Sequence, residues 1–163
     1  MIHKAMRQYL TLLAYRLADY RIIPLDVAPY AAVMSNDLES LGKELMTAQV
    51  AVNLSSLGDA IATFNASAVA MTAAIKTAAT EKDVNNIDAK LRDFSRGFVS
   101  QGGLPGKESY KHVVFAPGSD TGFTPVQWSG ISEAIEAGNV TLANTWVQKS
   151  AKAVEVAARI LQP

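Results

Sequence analysis

Few residues of this 163-residue chain are equipped for chemistry. It has no cysteine, which excludes a thiolate nucleophile, a disulfide framework and a thiolate zinc site. Its two histidines, His3 and His112, are too few for an ordinary zinc centre built by this chain alone. His112 lies in the apolar run Tyr110-Lys-His-Val-Val-Phe-Ala-Pro117, where an imidazole could serve as a general base. No second histidine is within sequence reach and no H-E-x-x-H spacing exists, so a buried, hydrogen-bonded structural histidine is the better reading. Gly102-Gly-Leu-Pro-Gly-Lys107 has the look of a phosphate loop, but a Walker motif needs four residues between its glycines and Ser or Thr after the lysine. Here three intervene and Glu108 follows, so the segment reads as a turn that ends a helix. Asp19, Asp26, Asp37 and Glu39 are isolated acids of the kind that line solvated helix faces. Three N-x-[ST] sequons, at Asn53, Asn65 and Asn139, are candidates for glycan attachment in a secretory compartment. Against that, Asn139 is also placed to cap a helix, and Asn65 falls in the middle of one.

The elements that must position these groups are helical almost throughout. Ile2, Met6, Tyr9, Leu10, Leu13, Leu17 and Tyr20 recur at three-or-four spacing and predict a first helix that stops before Pro24. Tyr30, Met34, Leu38, Leu41 and Leu45 predict a second. Leu57, Ile61, Phe64, Ala68, Met71 and Ile75 repeat as 4-3-4-3-4 in a third, capped by Ser55 or Ser56, the interval of knobs-into-holes packing. Ala60, Ala62, Ala66, Ala70, Ala73 and Ala74 flank that stripe and allow close helix approach. A fourth helix, capped by Asp83, carries Val84, Ile87, Leu91, Phe94 and Phe98 and ends at Gly102 and Gly103. The expected fold is therefore all-α, a four-helix bundle of antiparallel neighbours, with a long irregular loop at about 101–127 before the last helices. A short helix follows from Ser129 to about Glu136, then a last one with Val147, Ala151, Val154, Ala158 and Leu161 inward.

Composition bounds the function. Apolar residues make up 49%, charged residues 18%, and the two signs balance at 15 each, which argues against a disordered chain and against a nucleic-acid partner. No run of about 18 apolar residues exists, so no transmembrane segment is expected. The first residues lack the apolar core of a secretory signal and read as an ordinary helix excised from a longer context.

The run Gly103-Leu-Pro-Gly…Tyr110-Lys-His-Val-Val-Phe-Ala-Pro117, followed by Trp128-Ser-Gly-Ile-Ser-Glu-Ala-Ile135, resembles the C-terminal helical domain of the transferrin receptor and glutamate carboxypeptidase family. That family has "GLP…YRHVIYAP" and "FPGI.DA" in the same order. Leu12-Leu-Ala-Tyr-Arg-Leu-Ala-Asp-Tyr-Arg-Ile-Ile-Pro-Leu25 is similar to its "LALRLADSPVLPF" segment. The resemblance implies one dimerisation domain over residues 1–163 that pairs as a homodimer. It also implies an upstream protease domain of the same chain that holds two zinc ions and, in active members, makes the parent a zinc-dependent carboxypeptidase or aminopeptidase-type hydrolase. No catalytic residue and no metal ligand of that centre falls in these residues, so this chain alone is expected to hydrolyse nothing. In glutamate-specific members the loop after "YAP" borders the substrate pocket and holds the terminal glutamate with a lysine and a tyrosine. Those positions fall on Gly122 and Phe123 here, within the 116–125 loop. Glycine cannot pair with a carboxylate and phenylalanine lacks the hydroxyl donor, which predicts a pocket tolerant of neutral or apolar terminal residues. Ser129 stands where the family has proline and could cap the helix instead. Family and sequons together imply a glycoprotein that is secreted, or the lumenal or extracellular part of a membrane-anchored parent. Two alternatives stay open: a domain of a catalytically inactive, transferrin receptor-like protein, and an unrelated helical binding module.

Overall fold

The structure, a computed structural model, describes residues 2–104, 107–117 and 125–163. Among these are six α-helices: α1 (Ile2–Asp19), α2 (Ala28–Ala48), α3 (Ser55–Thr77), α4 (Glu81–Asp93), α5 (Ser129–Glu136) and α6 (Val140–Leu161). A 3-10 segment, Phe94–Val99, extends α4, and two short strands, β1 (Phe115–Pro117) and β2 (Pro125–Gln127), pair antiparallel. The fold is all-α.

The apolar stripes form the core. Leu57, Ile61, Phe64, Ala68 and Met71 of α3 are buried, as are Val147, Ala151, Val154, Ala158 and Leu161 of α6. These two helices make the centre of the molecule, and the small residues Ala143, Ala153 and Ala157 on α6 let their neighbours approach closely. Phe64, Phe94 and Phe98 meet with ring centroids 5.8–6.3 Å apart, and Tyr30 of α2 packs edge-on against Phe94 at 5.3 Å. Each fully buried large side chain of this kind contributes roughly 1.5–3 kcal/mol relative to exposure. Gly97 lies against the backbone of Ala157, so the 3-10 segment crosses α6 at a point where no side chain fits between them.

Named contacts fix the helix directions. Leu38 lies over Gly58 while Tyr30 reaches the Phe64–Phe94 cluster, so α2 and α3 run antiparallel. Lys90 donates to the Gln162 carbonyl and Gly97 meets Ala157, so α4 and α6 are antiparallel too. Gln148, in the first half of α6, donates to Ser56 at the start of α3 at 3.1 Å, and Pro163 lies with Ala74, Thr77 and Ala78 near their ends, so α3 and α6 run parallel and are not the antiparallel neighbours expected. The bundle of four is thus α2, α3, α4 with its 3-10 extension, and α6.

The predicted first helix is present but is not a member of that bundle. No residue of α1 is buried, and Ile2 and Leu13 of its apolar stripe are 80% and 40% exposed. The chain joins the bundle only after α1. Arg21 donates to the carbonyls of Ala78 and Ala79 at 3.2 and 3.1 Å, Ile23 N–H donates to Asp88 at 2.8 Å, and Val27 is buried. In place of α1, α6 supplies the fourth bundle member, because its buried face is longer and richer in small residues.

Three caps differ from expectation. Thr80, not Asp83, caps α4; Asp83 is the third helical residue and completes a reciprocal capping box with Thr80. Leu54 precedes α3 without a side-chain cap, and Asn53 Oδ1 accepts from Ser55 N–H at 2.9 Å. At α5 the residue before the helix is Trp128, and Ser129 is its first residue; the fully buried Ser129 hydroxyl has no partner among the described residues and caps nothing.

Candidate association surface

Within the four-helix bundle, the surface most unlike an ordinary solvated one lies on the outer side of α3. The inward stripe of this helix is spent on the core, yet its opposite side carries Ala62, Ala66, Val69, Ala70 and Ala73, all exposed, with Val69 at 60%. At about 100° per residue these five fall within an arc of roughly 100°, a single smooth strip without a charge. Small residues in such a strip leave a shallow, flat face against which another helix can lie closely. The alanines were legible in the sequence as a close-approach device. Ala60 does serve the core, whereas Ala62, Ala66, Ala70 and Ala73 face solvent.

The sequons bear on this face. Asn53, Asn65 and Asn139 are all exposed. Asn65 stands mid-helix on the margin of the α3 strip, so a glycan there would cover the strip. Asn139 caps α6 by accepting from Leu142 N–H at 2.9 Å. Asn53 lies in the connection before α3.

The irregular segment is anchored at its described ends. Lys107 Nζ lies 3.5 Å from Glu133 of α5, and the backbone of Gly103 packs against that of Glu108, as befits a tight turn. The rim of the segment is set by β1 and β2, whose register pairs Pro117 with Pro125. Gly122 and Phe123, the predicted substrate-pocket positions, lie outside the described residues. Trp128 closes the segment: its N–H donates to the Val114 carbonyl at 2.9 Å and its own carbonyl accepts from Ile131 and Ser132. It is buried and adopts a left-handed backbone, φ 47°, ψ 41°, a conformation costing of order 1–3 kcal/mol in a non-glycine residue. Packing of the indole into the core offsets that cost.

His112 is a half-buried structural residue. Its ring lies between those of Phe98 and Phe115, at 5.3 and 6.1 Å, and its Nδ1 accepts from Phe115 N–H at 3.2 Å. Burial lowers its pKa from the ordinary histidine value, favouring the neutral ring that can accept this bond. Among the described residues no three His, Asp or Glu side chains converge on a metal-sized site. Sequence reasoning missed a groove of about 820 Å³ between α2 and α5, lined by Ser40, Lys43, Glu44, Thr47, Ser132 and Glu136. Its two walls lie some 90 residues apart, beyond the reach of any spacing rule. Its charges are of mixed sign, and Ser132 donates to Glu44 across it at 3.4 Å.

Comparison with known proteins agrees with this architecture. The profile of the transferrin receptor-like dimerisation domain matches residues 52–162, from the start of α3 to the end of α6. A protein of Arthroderma benhamiae named "Probable glutamate carboxypeptidase" is 41% identical over 98% of this chain and 23% of its own length. An Arabidopsis thaliana protein of the same description is 33% identical over 82% of this chain and 20% of its own length. A Schizosaccharomyces pombe protein named as an inactive zinc metalloprotease is 32% identical over 45% of this chain and 9% of its own length. The chain thus spans about a quarter or less of the curated relatives it matches. On the strength of the profile match and the 41% identity, the chain belongs to the transferrin receptor-like dimerisation domain family, on the glutamate carboxypeptidase side of that family.

Proposed function

We propose that this chain is the non-catalytic self-association domain of a glutamate carboxypeptidase-like protein, and that it pairs with a second copy of itself through the outer strip of α3. The observation that carries the reading is the family match over α3 to α6, the part of the molecule that holds both the central helix pair and the strip. A twofold pair is the commonest closed solution for self-association, and a flat alanine strip is self-complementary about such an axis. Sedimentation at several concentrations tests it. The expected result is a monomer–dimer equilibrium that Ala66→Glu together with Ala70→Glu shifts toward monomer by at least about tenfold, since like charges then face each other across the pair. These positions are exposed, so thermal stability should be retained. Monomer at every concentration would overturn the reading for the isolated chain.

The parent in this proposal is a zinc-dependent peptidase with its two metal ions in an upstream protease domain, and it is a glycoprotein with a secreted or lumenal destination whose glycans sit at Asn53 or Asn139, Asn65 staying bare beside the pairing strip. The 116–125 loop borders its substrate pocket. Supporting that placement, the described ends of the loop are held together, with Pro117 paired to Pro125. Gly122 and Phe123 supply neither a cation nor a hydroxyl to a terminal glutamate. The similarity to an inactive zinc metalloprotease favours a second reading, in which the fold and pairing are kept and the metal set is lost. The upstream sequence separates the two: a complete set of His, Asp and Glu ligands supports the peptidase.

A further inference from the structure

We infer that α1 is a docking element for the remainder of the longer polypeptide: its apolar face packs into the core of the portion that the relatives possess and these residues do not. This rests on the reading of the chain as part of a larger carboxypeptidase-like protein, but not on its self-association.

An α-helix of 18 residues with no tertiary contact is marginal in water, and in proteins most helical stability comes from a packed amphipathic face. α1 has such a face and nothing in the bundle covers it. Ile2, Met6, Leu10, Leu13 and Leu17 are all exposed. Tyr9 widens the stripe on its other side and is exposed as well, with Leu12, also exposed, beyond Arg16.

The width of the face selects the occupant. At about 100° per residue the uninterrupted apolar positions from Tyr9 round to Leu10, through Ile2, Leu13, Met6 and Leu17, cover an arc of about 100°. A two-helix seam between copies needs only the narrower a/d stripe, whereas an arc of about 100° or more is the mark of a helix set against a globular core. The bundle is not that core, because Arg21 and Ile23 bind it immediately after α1 ends, through Ala78, Ala79 and Asp88, and α1 still buries nothing. The family profile also begins at residue 52, whereas similarity to the fungal relative covers 98% of the chain and so reaches into α1. That relative has room for such a core, since the match occupies 23% of its length.

Hydrogen–deuterium exchange on the 163-residue chain and on the full-length protein tests the inference. In the short chain α1 amides should exchange at least about 100-fold faster than those of α3 and α6, at every protein concentration. In the full-length protein they should be protected to within about tenfold of α3. Protection of α1 in the short chain that rises with concentration would overturn the inference in favour of a second copy. Concentration-independent protection there would overturn it in favour of the bundle, and fast exchange in both proteins would leave α1 without an occupant and also overturn it. A second measurement guards against misfolding: Leu13→Asp with Leu17→Asp should leave the melting temperature of the short chain unchanged and lower that of the full-length protein. Monomeric sedimentation of the short chain, with α1 protected only in the full-length protein, would defeat the self-association reading and leave this inference standing.

Discussion

Gly97 and Gly130, at the crossings onto α6, and His112 carry most of what single residues decide here. Gly130, in the first turn of α5, lies so close to the Trp146 ring that a Cβ would fall well inside van der Waals contact. Gly130→Ala should therefore cost about 1–3 kcal/mol, the usual toll of overpacking, read as a lowered urea midpoint with an unchanged slope. A change of less than about 0.5 kcal/mol would mean that α5 slides freely over α6. For His112 the sign follows from burial. Its folded pKa lies below the ordinary 6.5, so the unfolded chain takes up the proton first as pH falls. The contribution of the neutral ring is complete above about pH 6.5 and is lost as pH drops toward the folded value. Unfolding free energy measured from neutral to mildly acidic pH should thus decline, and His112→Asn should flatten the decline.

At the scale of elements, local chemistry explains where helices begin, and it does so by pairs of residues. Thr80 and Asp83 satisfy each other's backbone N–H groups at the start of α4, and the Thr80 contact holds the Asp83 carboxyl below the usual carboxylate range. Thr80→Ala should cost about 1 kcal/mol, measurable by chemical denaturation, since exposed caps elsewhere lose 0.5–2 kcal/mol on the same change. The sequence pointed to Asp83 because an acid before an apolar stripe resembles a cap. The reciprocal Thr80 bond was equally readable as T-x-x-D, one residue type away from the usual box. Trp128 was not readable in this way: a bulky residue at φ 47° is held there by its buried ring and by Val114, a long-range contact with no local signature. Periodicity, in contrast, is local. The buried faces of α3, α4 and α6 match their predicted stripes, with Ile75 only partly covered.

For the whole molecule the proposals are a bundle that pairs with a second copy, a 116–125 loop that borders the parent's substrate pocket and a leading helix that docks on the remainder of the longer polypeptide. The loop reading yields its own prediction at this scale. If Gly122 and Phe123 border the parent's pocket, the full-length enzyme should cleave peptides ending in Leu at least as well as those ending in Glu, compared by kcat/KM. A strong preference for C-terminal Glu would show that a cation from elsewhere serves the carboxylate, and would remove the role given to these two positions.

Residue pattern alone settled that the protein is helical, which faces of the helices are apolar, and which side chains along α3 and α6 are inward, because each depends on spacing within one segment. The family resemblance was likewise carried by short runs of residues in order. Tertiary structure decided who covers whom: that α6 rather than α1 completes the four, that Gly97 and Gly130 are crossing points, and that the alanines of α3 divide between core and surface. An amphipathic stripe states that a face must be covered, and it is equally satisfied by any apolar partner of the right shape. The choice among partners is made by packing between residues far apart in the chain, which no local spacing records.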